Sequence, residues 1–159
     1  MNSSPNRASN PAGKPRKKDV TLDLTTARQM LPLVRSIVTD IVDTNRRLTE
    51  LAPQQEILDE SRRALNWSGR QRRYAIRDEV TRAEQHLASA VSELDALGLT
   101  LVDGGQGRVD FPTRINGRPA AFSWQLGEEA VRFWRYSGEE ARRPIPADWQ
   151  NGVPMRNRP

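Results

Sequence analysis

The sequence predicts an α+β fold, an antiparallel hairpin of two long helices packed on a small antiparallel β-meander, preceded by a disordered basic tail. Three observations predict it. Apolar residues recur at helical spacing in two long stretches before residue 98, the period then shortens to two, and two glycine-containing turn signals divide the rest into strands. The domain is expected over residues 20–146, with helices at about 26–97, the meander at about 99–136 and an irregular tail at 147–159. Together these make one domain's worth of chain.

Charge separates the first segment from the body. The chain carries +5, yet residues 1–19 hold Arg7, Lys14, Arg16, Lys17 and Lys18 against Asp19, a net of +4. The other 140 residues carry 20 cations and 19 anions, a net of +1. The tail has almost nothing to bury and is expected to be disordered. A stretch of this kind serves as a solubilising extension, or as an arm that touches nucleic acid through phosphates.

In the first helix, Thr26 and Gln29 have the spacing of a capping box. Ala27, Met30, Leu31, Val34, Ile37, Val38, Ile41, Val42, Leu48 and Leu51 follow on one stripe. Thr44 and Asn45 interrupt it, a pattern that can set pairing. Pro32 cannot donate to the carbonyl of Arg28, and Pro53 repeats the difficulty, so a kink or restart is expected at each. Residues 54–66 read as a short further helix with Ile57, Leu58, Ala64 and Leu65 inward, and Ser68-Gly69 as a turn. The second long helix carries Ile76, Val80, Ala83, Leu87, Ala90, Val91, Leu94 and Leu97 near a heptad, closed by Gly98. His86 falls beside this stripe, as a helix-flank histidine.

Leu99 to Val102 is strand-like, and Asp103 to Gly107 is a loop without the Lys-Ser/Thr of a phosphate-binding loop. Asn116-Gly117 predicts a two-residue type I′ hairpin, and Gly127-Glu128 a type II′ hairpin. Two-residue loops fix the pairing. Phe111 then faces Phe122 and Val109 faces Trp124, while Trp124 faces Val131 and Phe122 faces Phe133. All six bulky residues share one side. The other side receives Asp110, Ser123 and Arg132 in one row, with Trp134 in the next beside Pro112 and Ala121. The Pro-rich C-terminal segment is the expected cover for Trp134, with Ile145 and Trp149 pinning it.

The stretches Arg108 to Pro112, Asn116 to Arg118, Phe122 to Glu128 and Val131 to Trp134 resemble a bacterial family, the domain of unknown function numbered 2203. The Leu22 to Arg35 segment resembles it too, so the likeness spans about residues 20–146. The resemblance implies one compact prokaryotic domain of helices and a small sheet, and brings no established activity, cofactor or catalytic residue. Many members carry Cys at the position of Ser123 and His at that of Arg135. Thiolate or imidazole chemistry at those positions has no counterpart here.

Composition narrows function by exclusion. The chain contains no Cys, which removes disulfides, thiolate nucleophiles and cysteine-ligated metals, and it has one His. No metal site and no cofactor is expected. No apolar run approaches a membrane span, and residues 1–20 lack the apolar core of a secretory signal, so a cytoplasmic protein without membrane contact is expected. A non-catalytic binding or scaffold module is the leading expectation. Its helical hairpin would meet a protein partner or a second copy, and Asp110, Ser123, Arg132 and Trp134 would hold a small ligand or peptide. Nucleic-acid binding is the alternative, through the tail and the Arg62–Arg82 cluster, with Arg62, Arg63, Arg70, Arg72 and Arg73 as its leading residues, Arg77 and Arg82 behind them, and Trp67 and Tyr74 interleaved. A small enzyme around Asp110, Ser123 and Arg132 is the third. A Ser–Asp pair without imidazole or lysine is a weak engine for hydrolysis.

Overall fold

The computed structural model describes residues 20–149. Two helices, α1 (Leu24–Glu60) and α2 (Trp67–Ala96), precede a five-stranded antiparallel sheet. Its strands are β1 (Thr100–Asp103), β2 (Arg108–Ile115), β3 (Arg118–Gln125), β4 (Phe133–Tyr136) and β5 (Arg143–Pro144), in spatial order β1-β2-β3-β4-β5. A short 3-10 turn, Ala147–Trp149, follows. The expected α+β architecture is present, with β5 as an additional edge strand. The basic tail of residues 1–19 and the last ten residues lie outside the described region.

Both helices begin on side-chain caps, and the starts differ from the sequence expectation. Asp23, not Thr26, caps α1, its carboxylate accepting the Thr26 N–H at 2.7 Å. That backbone bond, with help from the Thr26 hydroxyl, holds the Asp23 carboxyl below the usual carboxylate range. Asn66 caps α2, accepting from the Gly69 N–H at 2.8 Å, so Ser68-Gly69 is the first turn of the helix rather than a reverse turn. Helix α1 runs unbroken through Pro32 and Pro53. Each proline deletes one hydrogen bond, and apolar residues buried on either side of Pro32 hold the helix together across it. The expected short helix at 54–66 is therefore the end of α1 plus a connection, and Ile57 and Ala64 point outward instead of inward. At the other end, Leu99 N–H reaches Leu94 O and Gly98 N–H reaches Asp95 O, the bonding of a Schellman termination.

The core lies between α1 and one side of the sheet. Leu24 to Val42 of α1 pack on Val109, Phe111, Ile115, Phe122 and Trp124, while α2 enters this cluster through Ala90 and Leu94. Asn45, the residue that breaks the apolar stripe, donates to Gly104 O at 3.0 Å and so ties the β1–β2 loop to α1. His86 stands on the helix flank, its side chain 58% exposed and 3.9 Å from Asp40.

The helices outreach the sheet. At 1.5 Å per residue, α1 is about 55 Å long and α2 about 45 Å, whereas an eight-residue strand spans about 27 Å. Beyond Asn45 the hairpin extends as an arm in which Leu51 and Ile76 are the buried apolar side chains. Arg47 pairs with Glu79 and Arg73 with Asp59, both across the two helices.

The first hairpin has the expected register throughout. Ile115 faces Arg118, Phe111 faces Phe122 and Val109 faces Trp124. Asn116 and Gly117 supply the two positive φ angles, 54° and 73°, that a type I′ turn needs. The second hairpin is offset by one residue. Phe122 pairs with Trp134 and Ser123 with Phe133, where the two-residue turn predicts Phe122 with Phe133.

Candidate functional site

The offset has a local cause at Glu128. The chain does turn at Gln125–Glu128, with Glu128 N–H bonded to Gln125 O at 3.0 Å. The Glu128 carboxylate then folds back and accepts the Gln125 N–H at 2.7 Å. A strand partner would otherwise occupy that position. Residues 126–132 therefore form a wide loop, held to α1 by Arg35 through Glu129 O at 2.9 Å. An odd number of residues separates Ser123 from its partner Phe133, so the parity of β4 is reversed.

That reversal rearranges the polar side of the sheet. Asp110 and Ser123 remain directly opposite each other, as expected. Arg132 does not join them. It sits in the loop, its side chain 63% exposed, near Glu129 at 3.6 Å. Trp134 also leaves the polar side. It shares the row of Phe122, is 8% exposed, and packs against Trp149 with ring centroids 5.3 Å apart and under the Arg143 guanidinium. The C-terminal segment is thus the cover for Trp134, with Ile145 and Trp149 packed on the core.

Two arginines that the sequence reading did not select take the vacant positions. Arg135 shares the row of Ala121 and donates to both carboxylate oxygens of Asp110 through Nε and Nη2. Arg142 arrives from the segment after β4. It grips Glu128 through Nη1 at 3.0 Å and Nη2 at 2.6 Å, and donates to Ser123 O at 3.0 Å. Its guanidinium lies 4.3 Å from the Phe133 ring centroid. Bidentate guanidinium–carboxylate pairing of this sort is the stronger kind of ion pair. Ser123 is fully buried beneath these groups. Its Oγ, like Arg142 Nε, has no hydrogen-bond partner among the described residues.

The result is a closed polar layer. Both carboxylates are engaged by guanidinium groups, and all four charged side chains are mostly buried. Neither carboxylate is free to take a proton from a substrate without first breaking its pair. A pocket of about 570 Å³ lies elsewhere, where Val20, Asp95, Gly98 and Thr100 meet Pro112 and Arg114, and none of the predicted site residues lines it. Among the described residues no group of three or more His, Cys, Asp or Glu side chains has the grouping of a metal site.

The predicted nucleic-acid residues fall at the tip of the arm. Arg62 and Arg63 occupy the turn between the helices, and Arg70, Arg72 and Arg73 the start of α2. Arg73 is tied to Asp59 at 2.7 Å and Arg72 to Gln54 at 3.1 Å, which leaves Arg62, Arg63 and Arg70 unpaired among the described residues. The interleaved aromatics are exposed as well, Trp67 at 67% and Tyr74 at 58%.

A family model described as an uncharacterized conserved protein (DUF2203) matches residues 21–145. The chain belongs to this family. The DUF2203 match takes in the whole hairpin, its arm, and all five residues of the polar layer from Asp110 to Arg142. No curated protein and no solved structure matches the chain. No helix among the described residues is long and apolar enough to cross a membrane.

Proposed function

We propose that this DUF2203 protein is a non-catalytic interaction module whose working surface is the helical arm rather than the polar side of the sheet. One observation carries the reading. The arm extends past the sheet and holds Trp67 and Tyr74 largely exposed on the flank of α2. Large exposed aromatics beside arginine are the side chains that dominate protein–protein contacts. The sheet offers the opposite arrangement, since Asp110 and Glu128 are spent on internal pairs. On this reading the sheet is the rigid base that holds the hairpin, and the ion pairs keep the base in one register.

Photo-cross-linking tests the proposal. Benzoylphenylalanine placed at Tyr74, in the organism the chain comes from, is expected to trap a discrete adduct. The same group at Glu93, exposed on the sheet-proximal end of α2, is expected to trap none. Equal labelling at both positions, or no adduct at Tyr74, contradicts the reading.

A further inference from the structure

The arm carries a stripe that is complementary to itself. Trp67, Arg70, Tyr74 and Asp78 lie on one flank of α2, where they border a shallow groove with Gln71 and Ala75. This flank points away from α1, which α2 meets through Arg73, Ile76 and Glu79. Arg70 and Asp78 have no side-chain partner among the described residues. They cannot pair with each other along the helix, because eight residues separate them by about 12 Å.

Their placement about Tyr74 is symmetric. Arg70 stands four residues before it and Asp78 four residues after, with opposite charge. In a twofold, antiparallel crossing of two α2 helices centred on Tyr74, the two tyrosines meet at the axis. Arg70 of each copy then falls opposite Asp78 of the other, giving two ion pairs from one spacing. Seven residues out, Trp67 of each copy covers Thr81 of the other. A twofold interface requires one patch to contain both halves of every contact, and this stripe does.

We propose that the occupant of the arm is a second copy of the same chain, paired through the Trp67–Asp78 flank of α2. The inference rests on the arm being an interaction surface and names its partner. Two tyrosines at the axis, four charges on either side of them and a tryptophan at each end make a small contact, which fits a reversible interface rather than an obligate dimer. Rim charges of this kind set register and exclude wrong alignments.

Sedimentation velocity on the full chain, over a range of concentrations, tests it with charge swaps. The wild type is expected to pass from monomer to dimer as concentration rises. Arg70→Asp gives two acids facing two acids and Asp78→Arg two bases facing two bases, so each alone is expected to dimerise about 30-fold more weakly or worse. Mixing the two variants is expected to restore a dimer of near wild-type affinity, because each then meets its opposite. That restoration also shows that both variants are folded. A wild type that stays monomeric at about 1 mM overturns the proposal, as does a dimer indifferent to the swaps. Either failure is distinct from failure of the arm as an interaction surface. A cross-linked adduct at Tyr74 whose mass is not that of two chains keeps the surface and removes the self-pairing.

Discussion

Glu128→Ala is expected to lower the free energy of unfolding by about 3 kcal/mol, because it strips the partner from a mostly buried guanidinium. The side chains of Arg142 and Glu128 are 16% and 24% exposed, and the same carboxylate also takes the Gln125 N–H that no strand partner satisfies. Removing it therefore orphans a charge and a backbone donor together. Glu128→Gln keeps an acceptor for Gln125 and is expected to cost about half as much. Glu129→Ala, one residue on, removes a side chain that is 88% exposed and is expected to change stability by less than about 0.5 kcal/mol. Urea unfolding of the three variants checks the order.

Gly107→Ala is the second large effect, expected at about 3 kcal/mol from two causes that add. Gly107 has φ of +74°, and a Cβ there would meet Val38 Cγ1 at 2.8 Å and Leu126 Cβ at 2.9 Å. The left-handed backbone costs an alanine about 1–2 kcal/mol, and overpacking a formed core about 1–3 kcal/mol more. Gly117→Ala separates the two. Gly117 has nearly the same φ, +73°, with nothing within 4 Å of the added atom, so it is expected to lose only the backbone part. Equal losses at the two positions in thermal or urea unfolding would mean that the β1–β2 loop does not press on α1.

Helix periodicity and the Asn-Gly turn were enough to give two long helices and the β2–β3 register from sequence, although the end of α1 past Pro53 and the start of α2 before Ser68-Gly69 fell outside what the periodicity marked. The β3–β4 register was not, and the reason is visible in residues 131–136. Val131 and Phe133 offer one alternating set, Trp134 and Tyr136 the other, so the strand reads equally well in either parity. Gly127-Glu128 decided between them on the assumption that the turn was only a turn. Glu128 is instead a side-chain cap on β3, and its partner Arg142 lies 14 residues further on, beyond the reach of any local rule. Ser123 and Asp110 were placed on the right side of the sheet because they belong to the first hairpin. Arg132 and Trp134 were misplaced because they belong to the second.

The same contrast explains the arm. The helical stripe was legible, but its phase beyond Pro53 was not: a separate helix over 54–66 turns Ile57 inward, whereas on the unbroken α1 it stands six residues past Leu51, on the side opposite the seam. Trp67 and Tyr74, interleaved with arginines in the sequence, read as a grip on nucleic acid. With Arg72 and Arg73 engaged by α1, the outward groove of α2 is left with an aromatic pair flanked by Arg70 and Asp78.

The arginine that faces Asp110 reports the β3–β4 register, and a double-mutant cycle reads it directly. Stability is measured for Asp110→Ala combined with Arg135→Ala, and separately with Arg132→Ala. A coupling energy of about 2 kcal/mol is expected for Asp110 with Arg135, and a value within about 0.5 kcal/mol of zero for Asp110 with Arg132. Coupling to Arg132 with none to Arg135 would contradict the register, and with it the closed polar layer that directs function to the arm.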